Sequence, residues 1–225
     1  MELVHAPVPE LKNLLTQSFE DWSQEGRSCA LSGGATALIF LPALRAATVD
    51  WSRITLFWTD ERAVPADDPE SNYGIADRML LSPLGAKAPR AIRMPADMPH
   101  LGEAAVKYDD ELATELQGGV LDLVLLGVGE DGHVCSLFPG KKALDENDLR
   151  VVAVDDAPKP PRRRLSLSMR FLLQTRHIWI VAVGPRKLPV LQAALSKTQR
   201  STPLDLVVHQ AKDVTVFTDQ VIRRR

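Results

Sequence analysis

Cysteine is nearly absent: Cys29 and Cys135 are the only two in 225 residues, and their placement in apolar segments fits neither a disulfide framework nor a zinc-ligand spacing. Both thiols are expected to be reduced. No apolar stretch approaches the ~20 residues that span a bilayer; Leu121 to Val128 is typical of the longest. The N-terminus carries Glu2 and Glu10 rather than a basic region followed by an apolar run, so it does not read as a signal peptide, and a cytoplasmic location with no membrane partner is expected. Positive charge is also lacking, with 27 Lys and Arg against 29 Asp and Glu. Without a positive field to release counterions, nucleic acid is not an expected partner. Two short basic runs are local exceptions, Arg162-Arg163-Arg164 and Arg223-Arg224-Arg225, the second reading as a solvated tail.

What the chain does have is an ordinary globular mixture, 45% hydrophobic and 25% charged, long enough for one sizeable core, so a single domain over 1–225 is expected. Leu11, Leu14, Leu15, Phe19 and Trp22 recur at helical spacing and predict a helix over Pro9–Trp22. Ser28–Leu31 then meets Ser32-Gly33-Gly34 and a helix-forming stretch to Ala46: strand, tight turn, helix. The alternation continues with strands at Ile54–Trp58, Leu121–Leu126, Val151–Val154, Leu165–Ser168, Ile178–Val183 and Val214–Thr218. Helices are predicted at Asn72–Leu81, Leu101–Leu116 and Lys187–Leu195. Strands that are apolar throughout, separated by helices, predict an α/β fold in three α/β/α layers around a mainly parallel sheet. Ligands then belong at the carboxyl ends of the strands, in the loops that follow them.

Five loops carry candidate chemistry. Ser32-Gly33-Gly34-Ala35-Thr36 offers free N–H groups at a helix start, suited to a phosphate or oxyanion, although an ordinary turn explains it equally well. In Thr59-Asp60-Glu61-Arg62, read as a polar loop, Arg62 can fork onto a phosphate or simply pair with Asp60 or Glu61; Ser71, ahead of Asn72, can cap the next helix. The loop from Gly127 to Gly140 follows an apolar strand and delivers His133, preceded by three glycines and Asp131, to the ligand edge. Arg162-Arg163-Arg164 enters a strand, and Pro185-Arg186-Lys187 opens a helix.

The third loop has two competing readings. Gly127, Gly129 and Gly132 fit a dinucleotide G-x-G-x-x-G with Asp155 as the ribose acid, but Pro139-Gly140 cuts off the helix that should receive the pyrophosphate. Cys135 with His133 could form a nucleophile pair, but its apolar neighbours favour a small buried hydrophobe.

Together SGGAT, TDERAVP with PESNYG, LDLVLLGVGEDGHVCSLFPG, PPRRRLSLS and VGPRK, spanning about residues 30 to 190, resemble the 6-phosphogluconolactonase (DevB-type) family. A related family, glucosamine-6-phosphate deaminase, shares the GxGxDGH core but continues differently from Ser136-Leu137-Phe138-Pro139-Gly140. Ala35 and Ala37 replace the serine and proline of the family's usual SGGSTP, and Cys135 stands where alanine is common.

The resemblance implies a fold like that of glucosamine-6-phosphate deaminase, ribose-5-phosphate isomerase and the CoA-transferases. It further implies no cofactor and no metal, and a sugar-phosphate lactone as substrate. His133 would act as general base, an imidazole titrating near ~6.5 in its unperturbed state, with Asp131 orienting it. The substrate would be held by Gly33, Gly34, Asp60, Arg62, Ser71, Asn72, Arg164 and Lys187. The oligomeric expectation is a monomer or weak homo-oligomer. Rival readings are an amino-sugar-phosphate deaminase or isomerase, and a noncatalytic sugar-phosphate sensor.

Overall fold

The computed structural model describes residues 1–116, 119–196 and 202–222; the Arg223-Arg224-Arg225 run lies outside them. β1 (Glu2–His5) leads into α1 (Val8–Trp22), which buries Leu11, Leu15 and Phe19 at the predicted helical spacing. β2 (Ser28–Leu31) is buried throughout and turns at Gly33 into α2 (Gly34–Ala46). β3 (Thr55–Trp58) is followed at once by β4 (Asp60–Arg62). The predicted helix after it exists as α3 (Asn72–Ala76), a π-helical turn over Asp77–Leu81 and the short α4 (Ser82–Leu84). Next come β5 (Arg90–Ala91), α5 (Leu101–Glu115) and β6 (Leu123–Leu126). The remainder is β7 (Val151–Val154), β8 (Arg164–Leu167), α6 (Met169–Leu173), β9 (His177–Ala182), α7 (Leu188–Leu195), α8 (Pro203–Gln210) and β10 (Val214–Thr218).

Seven strands form one parallel sheet in the order β1-β10-β9-β6-β2-β3-β5, with helices on both sides. Its central strands β2 and β6 are buried along their whole length, as continuous apolar runs require when both faces are covered. Among the described residues no helix is long and apolar enough to cross a membrane.

Two expectations are corrected. Strands Val151–Val154 and Arg164–Leu167 do not join the parallel sheet; with β4 they make a separate antiparallel one, ordered β4-β8-β7. No helix separates β7 from β8, so nothing forces a parallel crossover. The segment Asp60–Arg62, read as loop, is an edge strand of that small sheet, and its charged residues conceal an alternation of inward and outward side chains.

The chain leaves β2 toward β3 on one side and β6 toward β9 on the other, and β2 and β6 are neighbours. Their outgoing loops therefore diverge, opening a crevice at the carboxyl edge, the expected ligand position in an open parallel sheet. Ser32 ties the two loops together. Its N–H donates to the Leu125 carbonyl at 3.0 Å, and its hydroxyl accepts from the Gly127 N–H at 2.8 Å.

Candidate active site

In that crevice lies a cavity of about 280 Å³. The loop after β2 lines it with Gly33 and Gly34, the small sheet with Asp60, Arg62 and Arg164, the loop after β6 with Gly129 and His133, and the turn after β9 with Lys187. All five loops singled out in the sequence supply a glycine, a histidine or a cation to it directly. Asn72, at the start of α3, completes the wall behind Gly33. The Asn72 Oδ1 packs so closely there that a β-carbon on Gly33 would overlap it.

The small sheet explains the cation cluster. Arg62 and Arg164 are register partners on β4 and β8, so their side chains leave the same face side by side. Like charges directly opposite on neighbouring strands repel, and this pair is partly withdrawn from water. Burial foremost pulls the Arg164 pKa down, and Arg62 adds to that, while Asp60 works in the opposite direction. Arg164 is fixed from behind: its Nε donates to the Pro161 carbonyl at 2.8 Å and its Nη2 to the Lys159 carbonyl at 3.0 Å. Its guanidinium also lies 5.8 Å from the Phe138 ring centroid. Arg62 donates to the Glu70 carbonyl at 2.6 Å, but its Nε is buried without a partner.

Asp60 lines the same cavity, its Oδ2 accepting from the Ser136 hydroxyl at 2.7 Å. Lys187 reaches back to the Val128 carbonyl at 2.6 Å, and burial foremost lowers its ammonium pKa. Of the three consecutive arginines only Arg164 lines the cavity; Arg163 pairs outward with Asp155 at 3.3 Å, and Arg162 is exposed.

His133 lines the same cavity. Its Nδ1 lies 2.5 Å from Asp131 Oδ1, and its ring sits 4.5 Å from that of Phe138. Burial tends to raise the Asp131 carboxyl, but the charge and hydrogen bonds of His133 outweigh it, so the pKa ends below its ordinary value. The carboxylate is therefore ionised at neutral pH and can accept the Nδ1–H, which leaves Nε2 as the basic nitrogen. Gly129 must lack a side chain here, because a β-carbon would fall on the imidazole.

Ser71 stands apart from the other expected contacts. It is buried and does not line the cavity: its hydroxyl donates to Glu61 Oε2 and accepts from the Gly74 N–H, capping α3, each at 3.0 Å. Glu61, weighed in the sequence only as an ion-pair partner of Arg62, is the anchor of this corner. Its carboxylate also accepts from the N–H groups of Arg62, Asn72 and Tyr73, each at 2.8 Å. Burial raises its pKa against those four donors. Glu61→Gln should cost about 2–3 kcal/mol, because an amide cannot accept from all of them and leaves buried donors unmet; an unchanged midpoint in chemical denaturation would contradict this.

Neither competing reading of the His133 loop gains structural support. Asp155 is an exposed turn residue outside the parallel sheet, and no helix follows Gly132 directly. Cys135 is buried, and its thiol is pushed well above its usual range by burial foremost and Asp60 next, which disfavours a thiolate nucleophile. Among the described residues no three His, Cys, Asp or Glu side chains converge as a metal site would require. A larger hollow of about 440 Å³ opens at the opposite edge of the sheet, but its lining includes Glu2, Asp21, Glu25 and Asp122, which repel an anion.

Fold and cavity together define an α/β protein with a cation-lined cavity at the carboxyl edge of a parallel sheet, beside an imidazole hydrogen-bonded to a carboxylate. Residues 3–217 match the family of glucosamine-6-phosphate isomerases and 6-phosphogluconolactonase, and the chain belongs to that family. It is 38% identical over 175 residues to the 6-phosphogluconolactonase of Mycobacterium tuberculosis, covering 73% of this chain and 71% of that protein. Among solved structures, a 6-phosphogluconolactonase from Shewanella baltica superposes with a TM-score of 0.86 at 28% identity over 97% of both chains. A monomeric glucosamine-6-phosphate deaminase superposes at 0.79 over 98% of both chains; at 19% identity it shows the shared fold alone.

Proposed function

We propose that this chain hydrolyses 6-phospho-D-glucono-1,5-lactone to 6-phosphogluconate, the lactone-opening step of the oxidative pentose phosphate pathway. The single observation that carries the mechanism is that an Asp131-bonded imidazole and the paired guanidiniums of Arg62 and Arg164 line one cavity. A lactone is already an activated ester, so no covalent nucleophile is needed; a positioned water and stabilisation of developing charge suffice. Neutral His133 takes a proton from that water through Nε2 as the oxygen attacks the lactone carbonyl carbon. The imidazolium, stabilised by ionised Asp131, then returns the proton to the departing ring oxygen.

Arg62, Arg164 and Lys187 hold the phosphate. The Gly33 and Gly34 N–H groups serve an anionic oxygen, and Asp60 and Asn72 face the sugar hydroxyls. Ser71 acts indirectly, by holding Glu61 and the start of α3. The whole chain works as one domain with no cofactor, in the cytoplasm, as a monomer or weak homo-oligomer, without nucleic acid or membrane.

Freshly generated 6-phosphogluconolactone, with spontaneous hydrolysis subtracted, tests the reading against its rivals. Acid release should be accelerated, and glucosamine 6-phosphate should yield no ammonia. Ammonia release without lactone opening would identify a deaminase, and saturable 6-phosphogluconate binding without turnover would identify a sensor.

A further inference from the structure

The His133 ring packs on Phe138, but its hydrogen-bond partner Asp131 is half-exposed, with a side chain 49% open to solvent. Yet catalysis by a base demands a fixed imidazole. The loop holds itself in part: the Gly129 N–H donates to the His133 carbonyl at 2.9 Å, and the Gly132 N–H to the Gly129 carbonyl at 3.1 Å. Among the described residues, only one hydrogen bond reaches the backbone of Gly129–His133 from another element. It comes from α8, some seventy residues later, where the Leu204 N–H donates to the Gly132 carbonyl at 2.9 Å.

That donor is one of the free N–H groups of a helix's first turn, and the turn is held by a complete capping box. The Thr202 hydroxyl accepts from the Asp205 N–H at 3.2 Å, and Asp205 Oδ2 accepts from the Thr202 N–H at 2.8 Å. Thr202 also seats directly on the loop. A β-carbon on Gly132 would come within 2.8 Å of three Thr202 side-chain atoms, and Gly132 has a φ of +82° that a side chain would strain. Two contacts, one polar and one steric, thus bring the same capped turn onto the peptide between Asp131 and His133.

We infer that the capped first turn of α8, through Thr202, is the element that positions His133 for catalysis. Thr202 touches neither the imidazole nor the cavity and acts only through Gly132, so it is a positioning residue. The inference rests on His133 being the base. It predicts that loosening the cap moves the imidazole by a fraction of an ångström and slows the chemical step while leaving the phosphate grip of Arg62 and Arg164 intact.

The test is a double-mutant cycle on 6-phosphogluconolactone turnover. Thr202→Val keeps the side-chain shape but removes the hydroxyl; kcat should fall by about tenfold, in keeping with the sensitivity of oriented groups to small displacements, with KM within twofold. Thr202→Ser, which keeps the hydroxyl, should restore most of kcat. In a His133→Ala background Thr202→Val should change the residual rate by less than twofold, because nothing remains to be positioned. The inference is overturned if Thr202→Val has wild-type kcat while His133→Ala is impaired, or if Thr202→Val slows the His133→Ala enzyme by the same factor as the wild type. Full activity in His133→Ala itself would instead sink the general-base reading on which the inference stands.

Discussion

His133→Ala is expected to lower kcat by about 10²–10⁴-fold, the ordinary contribution of a positioned general base, with KM held within a few-fold. The reasoning is geometric. The Nδ1–H is committed to Asp131, so Nε2 is the free basic nitrogen at the cavity wall, and no other imidazole lines the cavity. The remaining groups that bind charge, Arg62, Arg164 and Lys187, lie on other elements and keep their own supports, so substrate affinity should survive. Stopped-flow or pH-stat measurement of acid release separates the two parameters. A variant that kept wild-type kcat would show that water is activated elsewhere.

Arg62→Ala should act in the complementary way, raising KM by about 10–100-fold, the equivalent of one charge-assisted hydrogen-bonding group, with a smaller change in kcat. Arg62 lines the cavity and faces Arg164 across the β4–β8 ladder. An arriving phosphate dianion relieves the repulsion between the two guanidiniums. Arg62→Lys should recover only part of the loss, because an ammonium cannot present a planar fork. A kcat defect with unchanged KM would place Arg62 at the reacting carbonyl instead of the phosphate.

Much of this arrangement was legible in the sequence. The buried parallel strands announced themselves as continuous apolar runs, and β10 has the boundaries that the run Val214–Thr218 predicts. His133 was legible because a strand ended in a glycine-rich loop with no apolar reason to exist. What escaped notice depended on partners distant in the chain. Asp60-Glu61-Arg62 looks like a polar loop until its pairing with β8 is known; then the alternation puts Asp60 and Arg62 toward the cavity and Glu61 toward α3. Ser136 and Lys159 carry no local signal of their own, since one gains its meaning from Asp60 and the other from the Arg164 guanidinium that its carbonyl holds. β1 and α8 were missed for a related reason. Glu2–His5 lacks the continuous apolar run that marks the equally short β2, and only its pairing with β10 makes it a strand; Pro203–Gln210 is held in place by its capping box and its contacts with α7 and α6.

A crystal structure of the enzyme soaked with 6-phosphogluconate tests the central claim most directly. The product carboxylate should lie within hydrogen-bonding distance of His133 Nε2 or of one water held by it, with the phosphate on Arg62, Arg164 and Lys187. A phosphate bound at the imidazole, or a carboxylate lodged between the two guanidiniums, would contradict the account.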